Sequence, residues 1–112
     1  MSSTQSPSLR INRSKEPKFR DLIYEQILRF GPVSPKGAIN GGAEKIGISP
    51  VTAKRYLDKL RSGMGPLEQK SGRICFKDGP MAYMENDEMN RYYAIFQRIQ
   101  KEAEIIESSS NQ

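Results

Sequence analysis

The chain has 112 residues, with 18 Lys and Arg against 13 Asp and Glu, for a net charge of +5. It holds no histidine, no tryptophan and one cysteine, which excludes a Ser-His-Asp triad, a Cys-His pair, an imidazole metal site and an internal disulfide. The longest apolar runs are too short to span a membrane, and the N-terminus lacks the apolar core of a secretory signal. We therefore expect a small, basic, cytoplasmic domain with tails, not an enzyme and without a cofactor.

Residues 1–16 are Ser-rich and polar, and read as a disordered basic tail. Such a tail is either slack or an arm that touches nucleic acid. Pro17 opens the first helix. Phe19, Leu22, Ile23, Ile27 and Phe30 recur at three- and four-residue spacing, which makes one buried face. Gly31-Pro32 ends that helix. Ser34-Pro35 is an N-cap and N1 pair. Gly37, Gly41 and Gly42 weaken the helix it would start, since each costs roughly 1 kcal/mol relative to Ala. A turn over 35–40 and a short helix over 40–46 are expected.

Gly47 breaks the pattern, and Ser49-Pro50 again marks a helix start. A third helix is expected over 50–61, with Ala53, Leu57 and Leu60 inward. Residues 63–66 form a loop. Two short strands, 67–70 and 73–77, flank Ser71-Gly72 as a hairpin. Ile74 and Phe76 share one face of it. Cys75 lies on the other, as a small, partly buried residue with no redox role. Asp78-Gly79-Pro80 is a turn, and a last helix covers 87–107, with Asp87 as N-cap. Residues 108–112 read as a frayed tail. The organisation is thus a tail (1–16), a domain (17–80), a C-terminal helix (81–107) and a second tail. No segment repeats.

The charge is not spread evenly. Residues 49–77 hold seven basic and two acidic residues, whereas residues 78–112 hold three basic and seven acidic. A basic surface and an acidic one point to two surfaces with different jobs.

The segments AEKIGIS (43–49) and PVTAKRYLDKL (50–60), followed by the hairpin, carry the main signal. Ala43 is small where two helices cross, and Gly47 between Ile46 and Ile48 supplies a tight turn. The stretch from Ile46 to Phe76 resembles the recognition helix and wing of GntR- and DeoR-type transcriptional regulators. The shared positions are Gly47, Ser49, Thr52, Leu57, Leu60 and Gly72. The resemblance implies a winged helix-turn-helix fold, mainly α with a small β-hairpin, and binding to double-stranded DNA. Gly42 stands where these families carry Leu, so Ile39 is expected to fill the core there. No effector-binding domain follows within these residues, and no small-molecule ligand is expected.

Helix geometry then assigns roles. With Ala53, Leu57 and Leu60 inward, the outward face of helix 50–61 holds Thr52, Lys54, Arg55, Tyr56 and Lys59, together with Val51 and Asp58. Ser49 caps it. Thr52, Lys54 and Arg55 lie in the first turns, the part that reaches base edges in a major groove. Arg55 is suited to guanine, and Tyr56 and Lys59 to the backbone. Lys70, Ser71, Gly72 and Arg73 form the wing tip, directed at the minor groove or flanking phosphates. The plain alternative is a solvated basic face.

In the C-terminal helix, Met89, Tyr92, Phe96, Ile99, Ala103 and Ile106 are spaced 3, 4, 3, 4, 3, an a/d heptad pattern. Tyr93, Ile95 and Ile105 widen the stripe. The helix either joins a homodimer, which sets two recognition helices on two half-sites, or packs on its own domain. The expected function is a dimeric, sequence-specific DNA-binding regulator. The alternative is a winged-helix interaction module, or a non-specific nucleic-acid-binding part of a larger assembly.

Overall fold

Two Ser-Pro pairs, Ser34-Pro35 and Ser49-Pro50, start two of the helices. A computed structural model describes residues 15–110. The tail readings for residues 1–14 and 111–112 lie outside the described residues. Four helices, α1 (Lys15–Phe30), α2 (Pro35–Ile46), α3 (Pro50–Leu60) and α4 (Asn86–Ser110), surround a two-stranded hairpin of β1 (Leu67–Lys70) and β2 (Arg73–Phe76). A one-turn 3₁₀ helix, Pro80–Tyr83, precedes α4. The mainly α architecture with one small hairpin is as expected.

Helix α1 starts two residues before Pro17, because proline is tolerated within a first helical turn. Its buried side chains are Phe19, Ile23, Tyr24 and Ile27. Phe30 does not join them; it is 77 % exposed at the end of the helix. Gly31 ends α1 with φ +85°.

Helix α2 spans the whole of Pro35–Ile46 and does not wait until Asn40. Ser34 Oγ accepts the Gly37 N–H at 3.1 Å, and Pro35 takes N1, so the first turn is capped and preorganised. Burial of Ala38, Gly42 and Ala43 offsets the glycine cost. Gly42 is there for space: a Cβ would lie 2.4 Å from Phe19 Cε1. Phe19 thus takes the space beside Gly42, and Ile39 packs half-buried against the core. Gly47 ends α2 at φ 80°, ψ 43°, the left-handed conformation that glycine adopts without a Cβ penalty. Its N–H and that of Ile48 both return to the Ala43 carbonyl.

The hairpin pairs Leu67 with Phe76 and Lys70 with Arg73. At its tip Ser71 (φ 52°) and Gly72 (φ 77°) are both left-handed, as the tight two-residue turn requires. Val33, between α1 and α2, exchanges both backbone hydrogen bonds with Ile74. Leu67 and Ile74 are fully buried. Cys75 is partly buried, as expected.

Helix α4 begins at Asn86 and continues to Ser110, beyond the expected end at Glu107. It lies along α1. Arg91 meets Asp21, Arg98 meets Glu25, and Arg29 meets Glu102 at 2.8 Å. Tyr24, Phe76 and Tyr92 form a ring cluster with centroids 5.3–6.3 Å apart. Inside this joint the Tyr24 hydroxyl donates to Glu88 at 2.5 Å. Burial, then the Glu88 bond, push the hydroxyl well above the usual tyrosine range, so it stays protonated as a donor. Replacing Tyr24 with Phe is expected to cost about 1.5–3 kcal/mol, the range for a bond to a charged group. A urea unfolding comparison with wild type checks this.

Candidate nucleic-acid interface

Helix α3 follows α2 after three residues, and its geometry begins at Ser49. Ser49 Oγ accepts the Thr52 N–H at 3.1 Å and donates to Thr52 Oγ1 at 3.0 Å. One serine thereby satisfies a first-turn backbone donor and fixes the threonine hydroxyl. Lys15 Nζ donates to the Gly47 carbonyl at 3.3 Å and joins α1 to the α2–α3 turn. Ala53 and Leu57 are fully buried, and Leu60 is half-buried. That inward stripe turns Val51, Lys54, Arg55 and Lys59 outward, with Val51 71 % exposed.

The cations on this surface differ in their engagements. Lys54 pairs with Asp58 at 3.0 Å, Lys59 with Glu16 at 2.9 Å, and Lys70 with Glu68 at 3.4 Å. Arg55 and Arg73 are exposed and make no ion pair among the described residues. Thr52 is half-buried beside its cap. Ser71 and Gly72 sit at the exposed hairpin tip between Lys70 and Arg73.

Tyr56 departs from the expected outward face. Its ring is half-buried against Phe19, with centroids 5.9 Å apart, so it belongs to the rim of the core. Helical phase alone places it outward, but burial of its apolar ring against Phe19 turns it to the core side.

Arg61, which sequence reasoning passed over, connects the two halves of the surface. It donates to Asp58 Oδ1 through Nε and Nη2, and to Gln69 Oε1 through Nη1 at 2.6 Å. The i,i+3 spacing of Asp58 and Arg61 was the available signal. Lys77 secures the intervening loop. Its ammonium donates to the Ser62 and Gly63 carbonyls and sits 4.5 Å from the Tyr83 ring centre. Arg61 and Lys77 thereby link α3 to the hairpin and to the loop between them.

The Arg61 bond first, then the Lys54 bond, hold the Asp58 carboxyl below its ordinary value. A depressed carboxyl stabilises the fold fully above the ordinary carboxylate range, and that share is lost as pH falls through the folded-state value. Glu25 behaves alike: burial pulls it up, but the Arg29 bond and the Arg98 charge outweigh this. Stability should therefore fall as pH drops from about 5 to 3. Urea midpoints measured across that window should decline less steeply for Asp58→Asn than for wild type.

The expected dimer seam is divided. Met89, Tyr92 and Ile99 pack against the chain's own core, as does the buried Ile95. Phe96, Ala103 and Ile106 are exposed, and Tyr93 and Ile105 with them. The seam as first drawn is corrected to that extent: half of it is already spent within the domain.

Among the described residues, no helix is long and apolar enough to cross a membrane. Comparison with protein-family models, curated proteins and solved structures finds no match.

Proposed function

We propose that the chain is a sequence-specific double-stranded DNA-binding protein of the winged helix-turn-helix type, acting as a dimeric transcriptional regulator. One observation carries this reading. The first turns of a capped helix and the tip of an adjoining hairpin each present an exposed arginine, Arg55 and Arg73, that no carboxylate among the described residues neutralises. An unpaired guanidinium keeps both its charge and its planar fork for phosphate or guanine. Lys54 and Lys70 are themselves exposed and hold half-buried carboxylates by single surface ion pairs, which DNA phosphates can replace at little cost.

Selection of binding sites from a random duplex library tests the reading. A single enriched motif is expected, with affinity falling by about 0.9 log unit per log unit of salt for each phosphate neutralised. Recovery of no motif overturns it.

For the dimer, the supporting stripe on α4 is Tyr93, Phe96, Gln100 and Ala103, spaced 3, 4, 3 and exposed. It lies one helical step from the stripe that α1 covers. Phe96→Glu is expected to convert a dimer to a monomer by sedimentation at micromolar concentration. A wild-type chain that already sediments as a monomer ends the dimer proposal.

A second reading, a protein-interaction module, draws on the exposed Phe30. The Arg29–Glu102 bridge brings that end of α1 beside the last third of α4. An assembly that persists in Arg55→Ala, with no DNA motif selected by wild type, would favour it.

A further inference from the structure

We propose that Val51 reads the C5-methyl group of a thymine in the base pair next to the guanine met by Arg55. The inference rests on the DNA-binding reading above and names one element of the target, a thymine beside a guanine.

The first turns of α3 offer four side chains toward a groove, those of Val51, Thr52, Lys54 and Arg55. Two of them are already engaged. The Thr52 hydroxyl accepts from Ser49 Oγ at 3.0 Å, and the residue is half-buried. The Lys54 ammonium is paired with Asp58 at 3.0 Å. Val51 and Arg55 are left. Val51 is 71 % exposed, and no other large hydrophobic residue of α3 is exposed. Apart from Pro50 at the helix start, the other exposed residues of α3 are Lys54, Arg55 and Lys59, all cationic.

A single exposed apolar side chain is ordinary on a protein surface. What distinguishes Val51 is its chemistry in this place. It stands one turn before Arg55, at i and i+4, so the two are neighbours on one face with Cβ atoms about 5–6 Å apart. On a helix seated in the major groove, side chains three or four residues apart meet successive bases. Valine has no side-chain donor or acceptor, so it gains nothing from the hydrogen-bonding edge of a base. The thymine methyl is the apolar group that an unmodified base pair displays in the major groove. With Arg55 on guanine, a thymine in the next pair is what Val51 can recognise. 5-Methylcytosine carries the same methyl at the same ring position and should satisfy the same contact.

The test measures binding of the full chain to the duplex enriched from the random library, by fluorescence anisotropy. The motif should hold a thymine in a base pair adjacent to a guanine. Deoxyuridine in place of that thymine removes only the methyl group, and should weaken binding about three- to fivefold, the effect of uncovering one methyl. 5-Methylcytosine at the position should bind more tightly than cytosine by a similar factor. In Val51→Ala both methyl effects should shrink below about twofold, which closes a double-mutant cycle on the contact. This variant should fold as well as wild type, because the side chain is exposed and alanine is the better helix former. Equal affinity for the thymine and deoxyuridine duplexes, a full-sized deoxyuridine effect in Val51→Ala, or a motif with no thymine beside a guanine overturns this inference and leaves the DNA-binding reading standing. Recovery of no motif removes both.

Discussion

Arg55→Ala is expected to lower affinity for the selected duplex by about 10- to 100-fold, the equivalent of losing a bidentate base contact worth about 1–3 kcal/mol. It should also relax preference at one base position, which distinguishes it from the loss of a phosphate contact. Arg73→Ala should instead weaken binding to all duplexes alike and reduce the salt slope by about 1. Both side chains are exposed and make no ion pair among the described residues, so neither change should move the unfolding midpoint. Fluorescence anisotropy at several salt concentrations, with the selected duplex and with single-base variants, separates the two. An Arg55→Ala chain that keeps wild-type affinity and base preference removes the recognition role of α3. The assignment is sharpest for Arg55 because its neighbour Lys54 must first exchange Asp58 for DNA.

The second large effect concerns Phe19 and Gly42. Phe19 is fully buried, and truncating such a phenylalanine to alanine costs about 3–5 kcal/mol. That is a large share of the roughly 5–15 kcal/mol that holds a domain folded. Gly42→Ala should also destabilise, by about 1–3 kcal/mol, because the new methyl group meets the Phe19 ring at 2.4 Å. This sign is opposite to helix propensity, which favours alanine over glycine by about 1 kcal/mol. Combining Gly42→Ala with Phe19→Leu should recover part of the loss, since a smaller side chain vacates the space. Urea unfolding of the two single variants and the double variant closes the cycle. A Gly42→Ala chain more stable than wild type would show that the ring can move aside.

The same pair shows why parts of the fold were legible in the sequence and others were not. Ser34-Pro35 and Ser49-Pro50 announce helix starts through bonds that span only three residues, and both caps formed. The Gly47 turn and the Ser71-Gly72 hairpin are equally local. Glycine propensity is local and shortens the expected α2, whereas the space Gly42 leaves for Phe19 is a contact across 23 residues. Phe30 fits the helical period of α1 yet lies beyond the edge of the core, and periodicity alone does not give the width of the surface being covered. In α4 the apolar stripe is wider than one seam. The edge that turns inward is the one whose Tyr92, Ile95 and Ile99 find core to pack on, with the Arg91–Asp21 and Arg98–Glu25 pairs flanking it. The exposed placement of Arg55 and Arg73 is legible from helix phase and turn position. Arg61 was not singled out, because its link to Gln69 depends on where the hairpin docks.

The bridge between Val33 and Ile74 has a consequence for self-association. It takes the outward N–H and carbonyl of Ile74 in β2, so among the described residues the uninterrupted strand edge is that of β1. That edge is four residues long and carries Glu68 and Lys70, with a twisted turn at one end. Short, charged edges are poor templates for adding another strand. Strand addition and the growth of β-aggregates are thereby disfavoured, and contact between copies is left to helical surfaces.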